Sequence, residues 1–132
     1  MMKKPDILII DDEEVIRKAC RQTLEKEGFE VDEAPNGIIG LAKLHDKRYD
    51  LVLIDLKMSQ ISGMDVLGAV KKYDPNIICI VITGYGTNAV VREAKAKGAF
   101  DILIKPFAAQ ELREMIQRAI SARSLNWKPI SS

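Results

Sequence analysis

Long hydrophobic runs, cysteines and aromatic residues are all scarce in this sequence. The longest apolar run, Ile77–Ile82, is far shorter than the roughly 18–20 residues of a membrane helix. Ile7–Ile10 is too short for the apolar part of a secretory signal peptide. Cys20 and Cys79 stand far apart in apolar surroundings, which argues against a disulfide framework and a CxxC metal site. We therefore expect a cytoplasmic protein with two buried, reduced thiols and no membrane contact.

Neither sign of charge dominates the sequence. Twenty Lys and Arg residues face 19 Asp and Glu residues, and the sequence pI is about 7.7. A dedicated nucleic-acid-binding domain usually has a basic excess and a pI above about 9, so we expect no direct nucleic-acid binding. The chain has 132 residues, of which 47% are hydrophobic, enough for one domain with one core. This composition excludes disorder for most of the chain.

Five short runs rich in Ile and Val predict five strands. The runs do not alternate with polar residues, which is typical of strands buried on both faces of a parallel sheet. They are Ile7–Ile10, Phe29 with Val31, Leu51–Ile54, Ile77–Ile82 and Ile102–Ile104.

Segments with helical periodicity separate these runs and follow the last one. The apolar positions of three predicted helices are Val15, Ile16, Ala19, Cys20 and Leu24, then Ile38, Leu41, Ala42 and Leu44, then Leu112, Met115, Ile116, Ala119 and Ile120. Gly28, Asp74-Pro75 and Gly98 are stop signals for helices. The alternation predicts a doubly wound α/β fold with five helices. We interpret residues 1–123 as this domain and residues 124–132, where the periodicity is lost, as a C-terminal tail or linker.

Polar residues follow four of the predicted strands. Asp11 and Asp12 follow the first strand, Asp55 the third, Thr83 the fourth and Lys105 the fifth. Each has an ordinary structural explanation. Asp11 and Asp12 could be acids at a helix N-terminus and Asp55 a turn residue. Thr83 could be a strand end and Lys105 a solvated loop residue. Because ligands bind outside the carboxyl ends of the strands in open α/β sheets, their joint occurrence favours a site.

The chemistry of this set indicates a metal and a phosphoryl group. Two carboxylates about 4 Å apart repel by roughly 4 kcal/mol at a protein-surface dielectric. Lys105 supplies one positive charge, which is insufficient for three acids, and hard oxygen ligands suit Mg²⁺. A carboxylate beside Mg²⁺, a lysine and a hydroxyl can act as a nucleophile towards phosphorus.

Four stretches in this order resemble the receiver domain of two-component response regulators, and the resemblance covers about residues 5–123. The stretches are Ile7–Glu14, Asp50–Met58, Ile82–Gly86 and Gly98–Phe107. The resemblance implies a flavodoxin-like fold with a five-stranded parallel sheet in the order 2-1-3-4-5, flanked by five helices.

The resemblance also implies roles for individual residues. Asp55 would be the phosphoacceptor. Asp12 and Asp55 would bind Mg²⁺ together with the backbone carbonyl of Lys57, and Asp11 would act through water. Lys105 would contact a phosphoryl oxygen and precede a cis peptide bond.

The expected switch differs from the family pattern in one respect. Thr83 would be the hydroxyl that moves onto the phosphoryl group. Three residues before Lys105, the family usually has Tyr or Phe, whose ring turns inward on activation, but this sequence has Ile102. Tyr85 is a candidate substitute for that ring. Tyr85 and Lys57 also occupy positions that tune dephosphorylation in the family, and a ring at Tyr85 would screen attacking water.

The function that the resemblance implies is a phosphoryl-accepting signalling switch, not an enzyme that turns over a metabolite. A sensor histidine kinase or a phosphotransfer protein would donate the phosphoryl group. The surface around the fourth helix, fifth strand and fifth helix would then change and regulate a downstream output domain or protein. The resemblance also allows a homodimer through that surface.

Three other functions stay open at this point. A Mg²⁺-dependent phosphohydrolase commonly has a second acid two residues after its nucleophilic Asp, where this chain has Lys57. A nucleotide-binding module would need a GxGxxG or GxxxxGK[ST] loop after a strand, and the sequence has neither. A receiver fold used only for docking is the third, and Ile102 is the residue that favours it.

Overall fold

The computed structural model describes residues 4–123, which form an α/β fold around one parallel sheet. The strands are β1 (Asp6–Ile10), β2 (Glu30–Ala34), β3 (Leu51–Asp55), β4 (Ile78–Thr83) and β5 (Asp101–Ile104). They pair in the order β2-β1-β3-β4-β5, which confirms the predicted topology. The predicted tail, residues 124–132, lies outside the described residues, so its interpretation stays a prediction.

Within the described part of the chain, five helices cover the two faces of the sheet. They are α1 (Glu14–Lys26), α2 (Gly37–Asp46), α3 (Gly63–Tyr73), α4 (Asn88–Ala96) and α5 (Ala109–Ala122). Ile7 and Ile9 of β1 pack with buried residues of α1 and α5 on one face. Leu8 and Ile10 pack with buried residues of α2, α3 and α4 on the other. The alternating side chains of one apolar strand thus contribute to both cores, as expected for a central parallel strand.

Side-chain caps and glycines set the ends of the helices. Asn36, Ser62 and Thr87 each accept a hydrogen bond from the backbone N–H three residues later, at the starts of α2, α3 and α4. Gly28 and Gly98, after α1 and α4, have φ angles of 95° and 106°, which glycine adopts without steric cost. The stop signals predicted at these two glycines are confirmed.

The buried faces of α1 and α2 differ from the prediction. Four of the apolar positions that carry the helical periodicity are exposed to solvent: Val15, Ala19, Ile38 and Ala42. The buried residues of α2 are Gly37, Gly40 and Leu44. A Cβ on Gly40 would lie 2.8 Å from Cγ1 of Ile10, so α2 approaches the sheet closely through its glycines. This close approach leaves Ile38 on the outward side of α2. A count of large apolar residues does not reveal a contact face that contains glycines.

The two cysteines are unpaired and buried, as predicted. Burial raises the pKa of both thiols to about 12, so they remain protonated at neutral pH. Within residues 4–123, no helix is both long enough and apolar enough to span a membrane.

Candidate functional site

The carboxyl end of the sheet brings three predicted site residues into direct contact. Nζ of Lys105 lies 3.2 Å from Oδ2 of Asp11 and 3.4 Å from Oδ2 of Asp55. Asp11 is 0% and Asp55 is 2% exposed, so both carboxylates are almost fully removed from water. The peptide bond between Lys105 and Pro106 is cis, as the resemblance implied.

A further acid, Glu13, belongs to this cluster and was missed by the sequence prediction. Its Oε1 lies 2.8 Å from Nζ of Lys105, closer than either aspartate oxygen. The signal in the sequence was the acidic run itself, because Glu13 directly follows Asp12. One carboxylate oxygen from each of Asp11, Asp12, Glu13 and Asp55 can be chosen so that all four lie within 4.8 Å of one another.

The electrostatics of the cluster follow from burial of like charges. Burial, and then the charge of Asp11, raise the pKa of Asp55 to about 6. Burial also raises the pKa of Asp11. Burial alone would lower the pKa of Lys105, but the hydrogen bond to Glu13 and the charges of Asp11 and Asp55 raise it. Lys105 is fully protonated, but its single positive charge is therefore not enough to neutralise the acids around it.

The donor set fits Mg²⁺. Oδ2 of Asp11 is buried, and no donor within residues 4–123 is aligned to give it a hydrogen bond, although Lys105 is near. A buried carboxylate oxygen without a hydrogen bond is costly, and Lys105 offsets this cost only in part because it also faces Glu13 and Asp55. Carboxylates together with water and a backbone carbonyl are the ligands that Mg²⁺ prefers. Asp12 is exposed, so the opening of the site is also lined by an acid.

Thr83 ends β4 beside this cluster and holds the loop that follows. Thr83 is 3% exposed, and its Oγ1 accepts a hydrogen bond of 3.0 Å from the backbone N–H of Tyr85. In β5, Ile102 is 8% exposed and packs within the core on the α4 side of the sheet. Thr83 and Ile104 are paired across β4 and β5, so both strands end at the same level.

Lys57 and Tyr85 contact each other at the rim of the site. Nζ of Lys57 lies 5.2 Å from the centroid of the Tyr85 ring, in a cation–π geometry. Tyr85 is 64% exposed. The backbone N–H of Lys57 donates a hydrogen bond of 3.2 Å to Oδ1 of Asp55. Lys57 of the β3–α3 loop thus contacts both the Asp55 carboxylate and Tyr85 of the β4–α4 loop.

Fold and site together define a doubly wound α/β domain with a buried aspartate, an acidic cluster and a lysine at the carboxyl end of the sheet. The response regulator receiver domain model matches residues 7–117, and the chain belongs to this family. The chain is therefore a phosphoryl-accepting switch of two-component signalling. Receiver domains are signalling switches, not metabolic enzymes, so the phosphohydrolase and nucleotide-binding alternatives are not retained.

Known proteins of several kinds are similar to this chain. Sporulation initiation phosphotransferase F of Bacillus subtilis is 34% identical over 123 residues, which cover 93% of this chain and 99% of that protein. The transcriptional regulatory protein ZraR of Klebsiella oxytoca is 32% identical over 126 residues, 96% of this chain but only 28% of that protein. A CheY-like receiver domain structure from Methanospirillum hungatei superposes with a TM-score of 0.88 at 30% identity, covering 92% of this chain and 98% of the other.

Proposed function

We propose that Asp55 is the phosphoacceptor of this receiver domain. The observation that carries the proposal is its position: Asp55 is the last residue of β3, almost fully buried, with Lys105 at 3.4 Å. The hydrogen bond from the N–H of Lys57 orients the carboxylate and leaves its other oxygen on the side of Lys105. A nucleophile held in one orientation reacts with less entropic cost than a free one.

The transfer step is a displacement at phosphorus. A carboxylate oxygen of Asp55 forms a bond to the phosphorus atom while the bond to the nitrogen of the donor phosphohistidine breaks. The electron pair of that bond returns to the imidazole. The ammonium group of Lys105 offsets the negative charge of the phosphoryl oxygens as they approach the acidic cluster.

We assign the metal site to the carboxylates of Asp11, Asp12 and Asp55 and the backbone carbonyl of Lys57, with Asp11 acting through water. Glu13 adds a carboxylate to the same cluster. When bound, Mg²⁺ supplies positive charge to the phosphoryl oxygens and relieves the repulsion among the acids. Lys105 remains necessary beside it because three or four carboxylates exceed the charge of one divalent ion.

The proposed signal passes from Thr83 to the surface formed by α4, β5 and α5. The Thr83 hydroxyl would leave the N–H of Tyr85 and bind a phosphoryl oxygen, which frees the β4–α4 loop. Asp101 of β5 joins the three elements of this surface, since it pairs with Lys95 of α4 at 3.9 Å and with Arg118 of α5 at 2.8 Å. A shift of α4 therefore alters ion pairs that also involve α5.

Receiver domains act between kinases and outputs, and we propose the same arrangement here. A sensor histidine kinase or phosphotransfer protein would be the donor, and an output domain or separate protein would read the α4–β5–α5 surface. A homodimer through that surface is a further part of the proposal. Residues 1–123 would form the receiver, and residues 124–132 a tail or linker.

Incubation with Mg²⁺ and acetyl phosphate tests the phosphoacceptor, with intact mass as the readout. We expect a phosphoryl adduct on the wild type and on Asp65→Asn, a matched variant of an exposed acid in the first turn of α3. We expect none on Asp55→Asn.

Beryllofluoride, a phosphoryl mimic, gives a second readout through amide NMR shifts around Thr83. A phosphoryl adduct on folded Asp55→Asn would mean that another residue is the phosphoacceptor. Neither adduct nor shifts in folded wild type with Mg²⁺ would favour a receiver fold that serves only for docking.

A further inference from the structure

Arg17, in the first turn of α1, connects the β1–α1 loop to the end of β2. Its Nε donates to Oε1 of Glu33 at 3.1 Å, and its Nη1 donates to the backbone carbonyl oxygen of Asp11 at 2.8 Å. Both side chains are largely buried: 13% of the Arg17 side chain and 9% of the Glu33 side chain are exposed. The sequence patterns do not select either residue, because Arg17 lies in α1 and Glu33 lies within β2, and neither directly follows a strand.

The backbone of Asp11 is held to β2 on both sides. Its N–H donates to the carbonyl of Ala34 at 3.2 Å, and its carbonyl accepts the bond from Arg17. Its carboxylate accepts a bond of 2.8 Å from the N–H of Glu13. The carbonyl of Asp11 belongs to the peptide group that leads into Asp12, so Arg17 fixes the plane from which the Asp12 side chain departs.

Glu33 is a rigid anchor for this connection. Besides Arg17, its carboxylate pairs with Lys18 at 3.0 Å and with Arg21 at 3.1 Å. Lys43 of α2 donates to its backbone carbonyl. Three cationic partners and the bond to its backbone carbonyl restrain the Glu33 carboxylate if the loop moves. The restraint on Asp11 is therefore stiffer than a single exposed ion pair would give.

We propose that Arg17, anchored by Glu33, is a positioning residue for the metal-binding acids Asp11 and Asp12. The inference rests on the proposed function, since it assumes that these acids bind Mg²⁺. It assigns the guanidinium group no contact with the metal or the phosphoryl group. Its effect is exerted through the orientation of one peptide group, as outer partners of metal ligands act in other proteins.

The direction in which Mg²⁺ affinity changes distinguishes a positioning role of Arg17 from an effect of its charge. Arg17 is a cation near a cation site, so by charge alone its removal would tighten Mg²⁺ binding. A loss of positioning predicts the opposite, a weaker affinity. Arg17→Lys sharpens the contrast, because it keeps the charge but cannot form the same fork to Glu33 and the Asp11 carbonyl.

The experiment measures the Mg²⁺ dissociation constant by amide NMR titration for the wild type, Arg17→Met, Arg17→Lys and Lys18→Met. The Lys18 variant is the matched control, since it removes one charge from the Glu33 cluster without touching the Asp11 carbonyl. We expect roughly tenfold weaker binding in both Arg17 variants. We expect unchanged or slightly tighter binding in Lys18→Met. Urea unfolding without metal checks that each variant is folded.

Two results would overturn the inference: a folded Arg17→Met that binds Mg²⁺ as tightly as the wild type or more tightly, or a Lys18→Met that is weakened equally. If Arg17→Met does not fold, the Mg²⁺ affinity of the charge-conserving Arg17→Lys is compared with those of the wild type and Lys18→Met instead. A wild type that binds no Mg²⁺ contradicts the proposed metal site itself, and the inference is then wrong with it. Failure of the inference alone leaves wild-type binding intact.

Discussion

The hydroxyl oxygen of Thr83 accepts a hydrogen bond from the N–H of Tyr85, and a phosphoryl oxygen would accept the hydroxyl proton. We predict that Thr83→Ala still accepts phosphoryl on Asp55, because the hydroxyl takes no part in bond formation. The amide shifts that beryllofluoride induces along α4 should be lost. Thr83→Ser keeps the hydroxyl and should retain most of the α4 shifts. Equal shifts in the alanine variant would mean that α4 responds through another residue.

Tyr85 and Lys57 form a polar–aromatic rim beside Asp55. We predict that Tyr85→Ala loses its phosphoryl group faster than the wild type, because water reaches the acyl phosphate more easily. Lys57→Met should give a smaller increase of about two- to fivefold, since the cation–π contact is worth about 0.5–1 kcal/mol at an exposed site. Decay of the intact-mass adduct measures both rates. Tyr73→Ala, an exposed tyrosine on α3, is the control, and an equal effect there would exclude the screening role.

The residues that could be predicted from sequence are those placed by strand ends. Asp11, Asp55 and Lys105 directly follow or end apolar runs, so the topology alone brings them together. Glu13 and Arg17 could not be selected in this way. Their roles depend on side-chain reach from the start of α1, which the alternation of strands and helices does not specify.

Among the helices of residues 4–123, α4 has the smallest share of buried residues. Only Ala94 among its nine residues is buried, whereas α5 has five buried residues among 14. We predict that amides of α4 exchange with solvent at least roughly tenfold faster than those of the central turns of α5, because local opening exposes little apolar surface. Hydrogen exchange by NMR at neutral pH is the measurement. Equal protection in both helices would contradict a mobile α4.

Two glycines in α3 provide opposite tests of packing. A Cβ on Gly63 would lie 2.8 Å from the backbone carbonyl carbon of Asp55, and this backbone cannot give way cheaply. A Cβ on Gly68 meets no atom within 4 Å. We predict that Gly63→Ala lowers the free energy of unfolding by about 1–3 kcal/mol. Gly68→Ala should raise it by about 0.5–1 kcal/mol. Urea unfolding measures both, and a shared sign would contradict the geometry.

The strands were more predictable than the packing faces of the helices. Runs such as Leu51–Ile54 are buried on both faces, so composition alone identifies them. In α2 the contact face contains Gly37 and Gly40, whose role depends on distance to the sheet and not on hydrophobicity. Ile38, an apolar position of the predicted helix, is consequently exposed.

The acidic cluster affects the stability of the whole domain. Buried carboxylates that repel one another favour the unfolded chain, and a bound cation removes that cost. We predict that Mg²⁺ at about a hundred times its dissociation constant raises the free energy of unfolding by about 2.7 kcal/mol. Thermal unfolding with and without Mg²⁺ is the measurement. Asp12→Asn should respond much less, and an equal gain from NaCl at matched ionic strength would indicate screening instead of a site.

The hydrogen bond from the N–H of Tyr85 to Thr83 also limits how completely the unphosphorylated protein can stay in its resting arrangement. A single hydrogen bond contributes a net of about 0.5–1.5 kcal/mol. If this bond is the main restraint on the β4–α4 loop, the resting arrangement outnumbers the released one only about two- to tenfold. The released loop would then already exist as a minor population before any phosphorylation. The stimulus would change the ratio of two populations that both exist already.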